Sequence, residues 1–204
     1  NDFSGSFFWD TTNQDWRTAR EDERGGEKTR SSETQYGMSV GGPIIRDRLH
    51  FFTSYEAKEY NAPQDLTPGE GRTAADLPQA WRDQLGAAST PFKEDLYFGK
   101  LDWSINDENV VDLSYKRREE SEIGNVGGQS ARSYGTDTGV TEDRYDLRWQ
   151  YNAADWLNDA HLTFEDLSWS PRATFDGNGY ILQVSEPTAN DRLNIGTLLN
   201  TGAS

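Results

Sequence analysis

Apolar and polar residues alternate with a period of two along most of this chain, and the alternating runs come in pairs. Tyr36, Met38 and Val40 alternate with Gly37, Ser39 and Gly41. Gly42-Pro43 ends that run, Arg46-Asp47-Arg48 makes a short charged turn, and Leu49, Phe51, Thr53 and Tyr55 resume the pattern. A period of two gives each strand one apolar and one polar face, so residues 36–56 predict an antiparallel hairpin. The same reading marks strands over residues 3–9, 36–42, 49–56, 96–105, 110–118, 143–152 and 160–169. A further short strand is expected over 180–184, in a tail that otherwise reads as loop.

The connections alternate as regularly as the residues. Residues 10–35, 57–95 and 119–142 are long, polar and rich in Gly, Glu, Asp, Ser and Thr, whereas 46–48, 106–109 and 153–159 are short. Unstructured loops of the longer kind are uncommon in compact domains. Transmembrane barrels, by contrast, pair long extracellular loops with short periplasmic turns.

The apolar faces are rich in aromatics. They read Tyr97, Gly99, Leu101, Trp103 and Ile105, then Val111, Leu113 and Tyr115, then Tyr145, Leu147, Trp149 and Tyr151. Arg117 and Asp143 fall on these faces only at the strand ends. Opposite stand Lys100, Asp102, Asp112, Lys116, Arg118, Asp146, Arg148 and Gln150. Lys or Arg facing lipid near mid-membrane costs about 2–4 kcal/mol, which confines mid-strand charge to the lumen side. Lys100, Asp102, Lys116, Arg118, Arg148 and Gln150 are therefore candidate lumen-lining residues.

Composition sharpens this picture. Only 33% of the 204 residues are hydrophobic, while aromatics make up 12%, and the mean hydropathy is −0.90. That is too little aliphatic material for a large soluble core and too much aromatic for a disordered chain. It fits a sheet with a single apolar face rimmed by aromatic girdles. A net charge of −15 excludes phosphate-contacting nucleic-acid binding. With no cysteine there is neither a disulfide framework nor a thiolate metal site. No apolar run approaches the roughly 20 residues of a membrane helix.

Three stretches carry a family resemblance. Asn1-Asp2-Phe3-Ser4-Gly5-Ser6, the GGPI hairpin from Tyr36 to Glu56, and Gly99-Lys100-Leu101-Asp102-Trp103-Ser104-Ile105-Asn106-Asp107 resemble the first barrel strands of TonB-dependent outer-membrane receptors, the Oar-like subgroup in particular. Beyond Glu119 the periodicity continues without family wording. The resemblance implies an all-β fold: an antiparallel meander of about seven strands, part of a barrel of about 22 with a plugged lumen. It implies the outer membrane of a Gram-negative bacterium and active uptake of a scarce nutrient. The partners it implies are outer-membrane lipid, an unidentified transported ligand, and the TonB complex, reached through a plug region that this sequence lacks. On that reading residues 1–204 are an internal piece of the barrel, and their function belongs to the parent protein.

The candidate chemistry is sparse. His50 and His161, the only histidines, sit in predicted strands and read as lumen-facing or interfacial. Asp176-Gly177-Asn178-Gly179 lacks the spacing of a calcium loop and reads as a turn. The acidic groups Glu21-Asp22-Glu23 and Glu119-Glu120 with Glu122 stand beside Arg20, Arg24, Arg117 and Arg118, which predicts mutual screening. Over residues 74–85, Leu77, Trp81 and Leu85 step by four residues and Pro78 suits a first helical turn, which predicts a short helix over the barrel mouth, with Trp81 packing there or contacting a ligand. No catalytic site and no cofactor are expected. A soluble, aromatic-rich β-sandwich that binds carbohydrate is the alternative, with the same apolar faces as its core and clustered Trp exposed on a concave sheet.

Overall fold

A computed structural model describes residues 2–21, 23–187 and 193–202. Seven strands form one antiparallel sheet in simple sequence order: β1 (Ser4–Asn13), β2 (Ser32–Ile45), β3 (Leu49–Leu66), β4 (Gly86–Ser104), β5 (Asn109–Gly124), β6 (Thr136–Asn152) and β7 (Leu157–Ala173). A second sheet pairs β8 (Tyr180–Pro187) with β9 (Leu193–Thr201). The only α-helix among the described residues is α1 (Gln79–Arg82). No helix there is long and apolar enough to cross a membrane, so any crossing falls to strands.

All seven expected strands are present, but they run well past their expected ends. β3 continues ten residues beyond Glu56, to Leu66, and β4 begins at Gly86 rather than near Leu96. The reason is that both faces become polar there. Lys58, Glu59, Asn61 and Gln64 show no period-two signal, yet their backbones stay in register with Glu94, Lys93, Pro91 and Ala88. The long connections therefore shrink to residues 14–31, 67–85 and 125–135. The tail is corrected too: β7 reaches Ala173, and the short strand expected over 180–184 is one arm of the β8–β9 hairpin.

Gly42-Pro43 also does not end its strand, because β2 continues to Ile45 through a register shift between Pro43 and Ile45. The β2 glycines make room for rings. A Cβ on Gly37 would lie 2.5 Å from Phe8 Cε1, and one on Gly41 would lie 3.2 Å from Phe52 Cδ2. The turn itself bends at Asp47, which adopts a left-handed φ of 62°.

Very little is buried beneath the sheet. Among the described residues the buried apolar ones are Ala57, Leu66, Leu77, Ala88, Ala131 and Leu199, and most of them lie at the end where the long connections gather. Mid-sheet, Leu113 is 45% exposed, Trp149 43% and Leu162 68%. A sandwich requires a second sheet over these side chains, and among the described residues none covers them. The apolar surface instead faces outward as one continuous wall, far larger than a soluble monomer exposes.

Candidate functional site

The cross-strand register sorts the sheet into two faces. Phe51, Leu101, Leu113, Leu147 and Leu162 lie opposite one another in a single row across five strands. One step along, Thr53, Gly99, Tyr115, Tyr145 and Phe164 form the next row. Aromatic belts border this apolar band. At the long-loop end Tyr36 meets Tyr55 at 6.2 Å, Tyr55 meets Tyr97 at 5.0 Å, and Tyr115 meets Tyr145 at 4.8 Å, all ring centroid to centroid. At the short-turn end Tyr151 meets Trp156 at 5.2 Å, and Trp149 donates through Nε1 to Asn109 Oδ1 at 3.0 Å. Tyr and Trp suit such belts because each joins a large apolar body to one polar atom.

The height of the band matches a membrane. From Tyr36 to Ile44 the strand runs about 27 Å at ~3.4 Å per residue. A tilt of about 40° leaves roughly 20 Å of height, close to the ~25 Å apolar band of outer-membrane barrels. Arg117 and Asp143 do share the apolar face, as expected, and they sit at the upper belt as a pair 3.4 Å apart. Asp143 there also accepts a 2.5 Å hydrogen bond from the Tyr115 hydroxyl.

The opposite face is a ladder of charge. Asp102, Asp112 and Arg148 follow one another in register across β4, β5 and β6. Lys100 pairs with Asp102 and lies 3.8 Å from Asp112. Glu142 receives Lys116 at 3.2 Å and Arg118 at 3.4 Å. Arg148 grips Asp159 through two hydrogen bonds of 2.9 and 2.6 Å, and the same carboxylate accepts Gln150 Nε2 at 3.3 Å. All six residues singled out from the sequence thus share this face.

Their partners Glu142 and Asp159 were missed in the sequence, as was the neighbouring pair Arg144 and Glu165, 3.9 Å apart. The signal for Glu142 and Arg144 was the same parity, continued back from Asp146. His161 belongs to this network, with Nε2 3.0 Å from Asp159, and His50 stands in register with Asp102. Among the described residues no group of His, Cys, Asp or Glu has metal-binding geometry.

The long connections are folded rather than loose. In residues 14–31, Arg17 holds the buried Glu23 carboxylate through bonds of 2.7 and 2.6 Å, while the backbone N–H groups of Arg20 and Thr29 donate to it at 2.8 and 2.7 Å. The Arg17 guanidinium first of all, with those N–H groups, holds the Glu23 carboxyl far below the ordinary carboxylate range. Arg20 carries the knot onward to Asp65 at the end of β3, 3.4 Å away. The expected screening of the acidic groups is present at Glu23, Glu119 and Glu120, with Arg17 as the partner the sequence did not suggest. Asp22, and Asn1 of the opening motif, lie outside the described residues.

Residues 67–85 and 125–135 and strand β9 interlock as a cap at this end. Gly128 N donates to Asp65 O at 2.8 Å, and Thr67 N to Gly128 O at 2.9 Å. Ala131 N donates to Asn200 O at 2.9 Å, and Asn200 N to Gln129 O at 2.7 Å. Leu77 is fully buried beneath α1, which is shorter than the helix expected over 74–85 because residues 74–76 form a separate 3-10 turn. Trp81 is half-exposed and lines a cleft of about 460 Å³ with Phe175 and Tyr180.

A sheet with one belted apolar face, one charged face and long loops gathered at one end is a wall segment of a transmembrane β-barrel. Residues 1–77 match the family described as the outer membrane beta barrel domain. The chain is similar in structure to the outer membrane transporter YddB from Escherichia coli, with a TM-score of 0.60 and 15% identity over 98% of this chain. It spans 25% of that transporter's length. No curated protein matches it significantly. The fold is that of part of an outer-membrane β-barrel, and the chain is at home in the outer membrane of a Gram-negative bacterium.

Proposed function

We propose that this chain is part of a TonB-dependent receptor of the Oar-like subgroup, which takes up a scarce nutrient across the outer membrane. The observation that carries this reading is the charged face opposite the aromatic belts, on which Lys100, Lys116, Arg118 and Arg148 are each paired with a carboxylate. Charged side chains in a low-dielectric wall are tolerated where they meet water or a polar occupant and satisfy one another. Lys100, Asp102, Lys116, Arg118, Arg148 and Gln150 would then line the lumen, and Leu101, Leu113, Leu147 and Leu162 would meet lipid.

On this reading the folded cap meets the ligand first and the lumen passes it on. The energising TonB complex acts through a plug region elsewhere in the parent protein. The chain's role is passage, with no catalytic step and no cofactor.

The test compares solutes removed from a minimal medium by the wild-type strain, a strain lacking this gene and a strain lacking TonB. The reading expects one solute class to remain undepleted in both deletion strains. Normal depletion by the gene deletion strain, or depletion that ignores the loss of TonB, overturns it.

A further inference from the structure

The cleft at the cap differs chemically from everything around it. Three flat rings converge on it from separate parts of the chain: Trp81 from α1, Phe175 from the β7–β8 connection and Tyr180 from the start of β8. Phe175 and Tyr180 are 46% and 55% exposed, so their faces are open to a ligand. Between the rings stand neutral hydrogen-bonding groups only, from Gln84, Ser133, Asn178 and Thr201. No carboxylate, ammonium or guanidinium group lines the cleft, although the chain as a whole carries a net charge of −15.

The polar groups are held in fixed positions. Gln84 Oε1 accepts hydrogen bonds from Thr201 Oγ1 at 2.6 Å and Ser133 Oγ at 3.3 Å. Gly202 N donates to Ser133 Oγ at 3.0 Å. Ser133 Oγ also lies 2.8 Å from Thr201 Oγ1, so the three side chains form one hydrogen-bonded cluster, and Gln84 Nε2 donates to none of the described residues. A donor fixed in this way beside flat apolar faces is positioned for a ligand.

We infer that this cleft binds a neutral sugar ring of a carbohydrate ligand. A pyranose has two flat faces of C–H groups and a rim of hydroxyls, so it stacks on an aromatic ring and hydrogen-bonds at its edge to amides and hydroxyls. The cleft supplies both in the right balance. A ferric chelate or a charged peptide would bring charge into a lining that has none to answer it, which costs desolvation without compensation. The volume of about 460 Å³ holds one or two sugar rings, within the usual range of small-ligand pockets. The inference rests on the cap geometry and extends the uptake reading by naming the ligand class.

The test is calorimetric titration of the full-length protein in detergent micelles with neutral oligosaccharides of glucose, xylose and N-acetylglucosamine, and with neutral tripeptides as the comparison. Saturable binding of at least one oligosaccharide series is expected. Affinity should fall at least tenfold in Trp81→Ala, partly recover in Trp81→Phe, and stay unchanged in Leu162→Ala on the lipid-facing side of the sheet. Heat-modifiable mobility on gels verifies that each variant is folded. Absence of saturable sugar binding by the wild type, equal binding by a folded Trp81→Ala, or binding of the tripeptides alone overturns the inference. Sugar binding without TonB-dependent uptake overturns the transport reading and leaves the sugar site standing.

Discussion

The ring of Phe3 occupies the space in which a side chain on Gly42 would stand. A Cβ there would collide with Cδ1 of that ring and lie 2.8 and 2.9 Å from Cγ and Cε1. The second glycine of the GGPI run is therefore a seat for an aromatic ring on the apolar face, and Phe3 in turn meets Phe51 at 6.1 Å. Gly42→Ala should destabilise the sheet by about 1–3 kcal/mol through overpacking. Adding Phe3→Ala should remove the clash, so the double variant loses less than the sum of the two single changes. Urea unfolding from lipid vesicles measures the cycle, and strict additivity would show that the ring moves aside freely.

The two faces give the sharpest contrast at neighbouring positions. Leu113 stands in the apolar row with Leu101 and Leu147, and Ser114 stands on the charged face between Lys100 and Asp146. Leu113→Arg should cost about 2–4 kcal/mol and depress assembly into the membrane, whereas Ser114→Arg should be tolerated. The folded fraction in vesicles, read from heat-modifiable mobility, decides it. Equal tolerance of the two changes would refute the face assignment.

Glu23 organises the connection over residues 14–31, and its carboxyl is held well below the ordinary range. A depressed folded pKa contributes stability that is fully present above the unfolded carboxylate value and is lost as pH falls through the folded one. The knot should therefore stay closed at neutral and mildly acidic pH and open only in strong acid. Glu23→Gln should open it at pH 7, because the amide cannot accept four donors as the carboxylate does. Protease cleavage near Arg20 and Arg24 at neutral pH, in the variant and not in the wild type, is the expected result.

Leu77 anchors the cap, with its side chain fully buried and Arg82 donating to its carbonyl at 2.7 Å. Leu77→Ala should weaken the cap by about 2–5 kcal/mol through the cavity it leaves. Residues 67–85 should become cleavable while the barrel keeps its heat-modifiable mobility. Loss of both together would mean that the cap and the sheet unfold as one unit.

The strands were legible in the sequence wherever one face meets an apolar solvent. Leu101, Leu113 and Leu147 announce their strands because each is flanked by charged or polar residues at a spacing of one. Where water lies on both sides, as at Lys58 and Glu59, the backbone ladder continues with nothing in the side chains to mark it. Strand β9 went unseen for a related reason. It pairs only with β8 and meets the cap through the backbone of Asn200 and the buried Leu199, a local contact without a repeating pattern.

On the charged face, parity alone placed Lys100, Asp102 and Arg148. Which carboxylate answers which cation depends on register, and register comes from pairing between strands distant in sequence. The cleft was beyond reach because Trp81 comes from α1, Phe175 from the β7–β8 connection and Tyr180 from the start of β8. Only the folded cap brings them together.

β3 has one further consequence. A membrane crossing needs about 9–11 residues of a tilted strand, and this strand has 18. Its upper end and the start of β4 therefore rise above the lipid as a stiff, hydrogen-bonded blade. An antibody raised against Lys58–Leu66 should label intact cells, and a peptide tag inserted between Glu70 and Gly71, both at positive φ in an exposed turn, should be displayed on the cell surface without disturbing the wall beneath it.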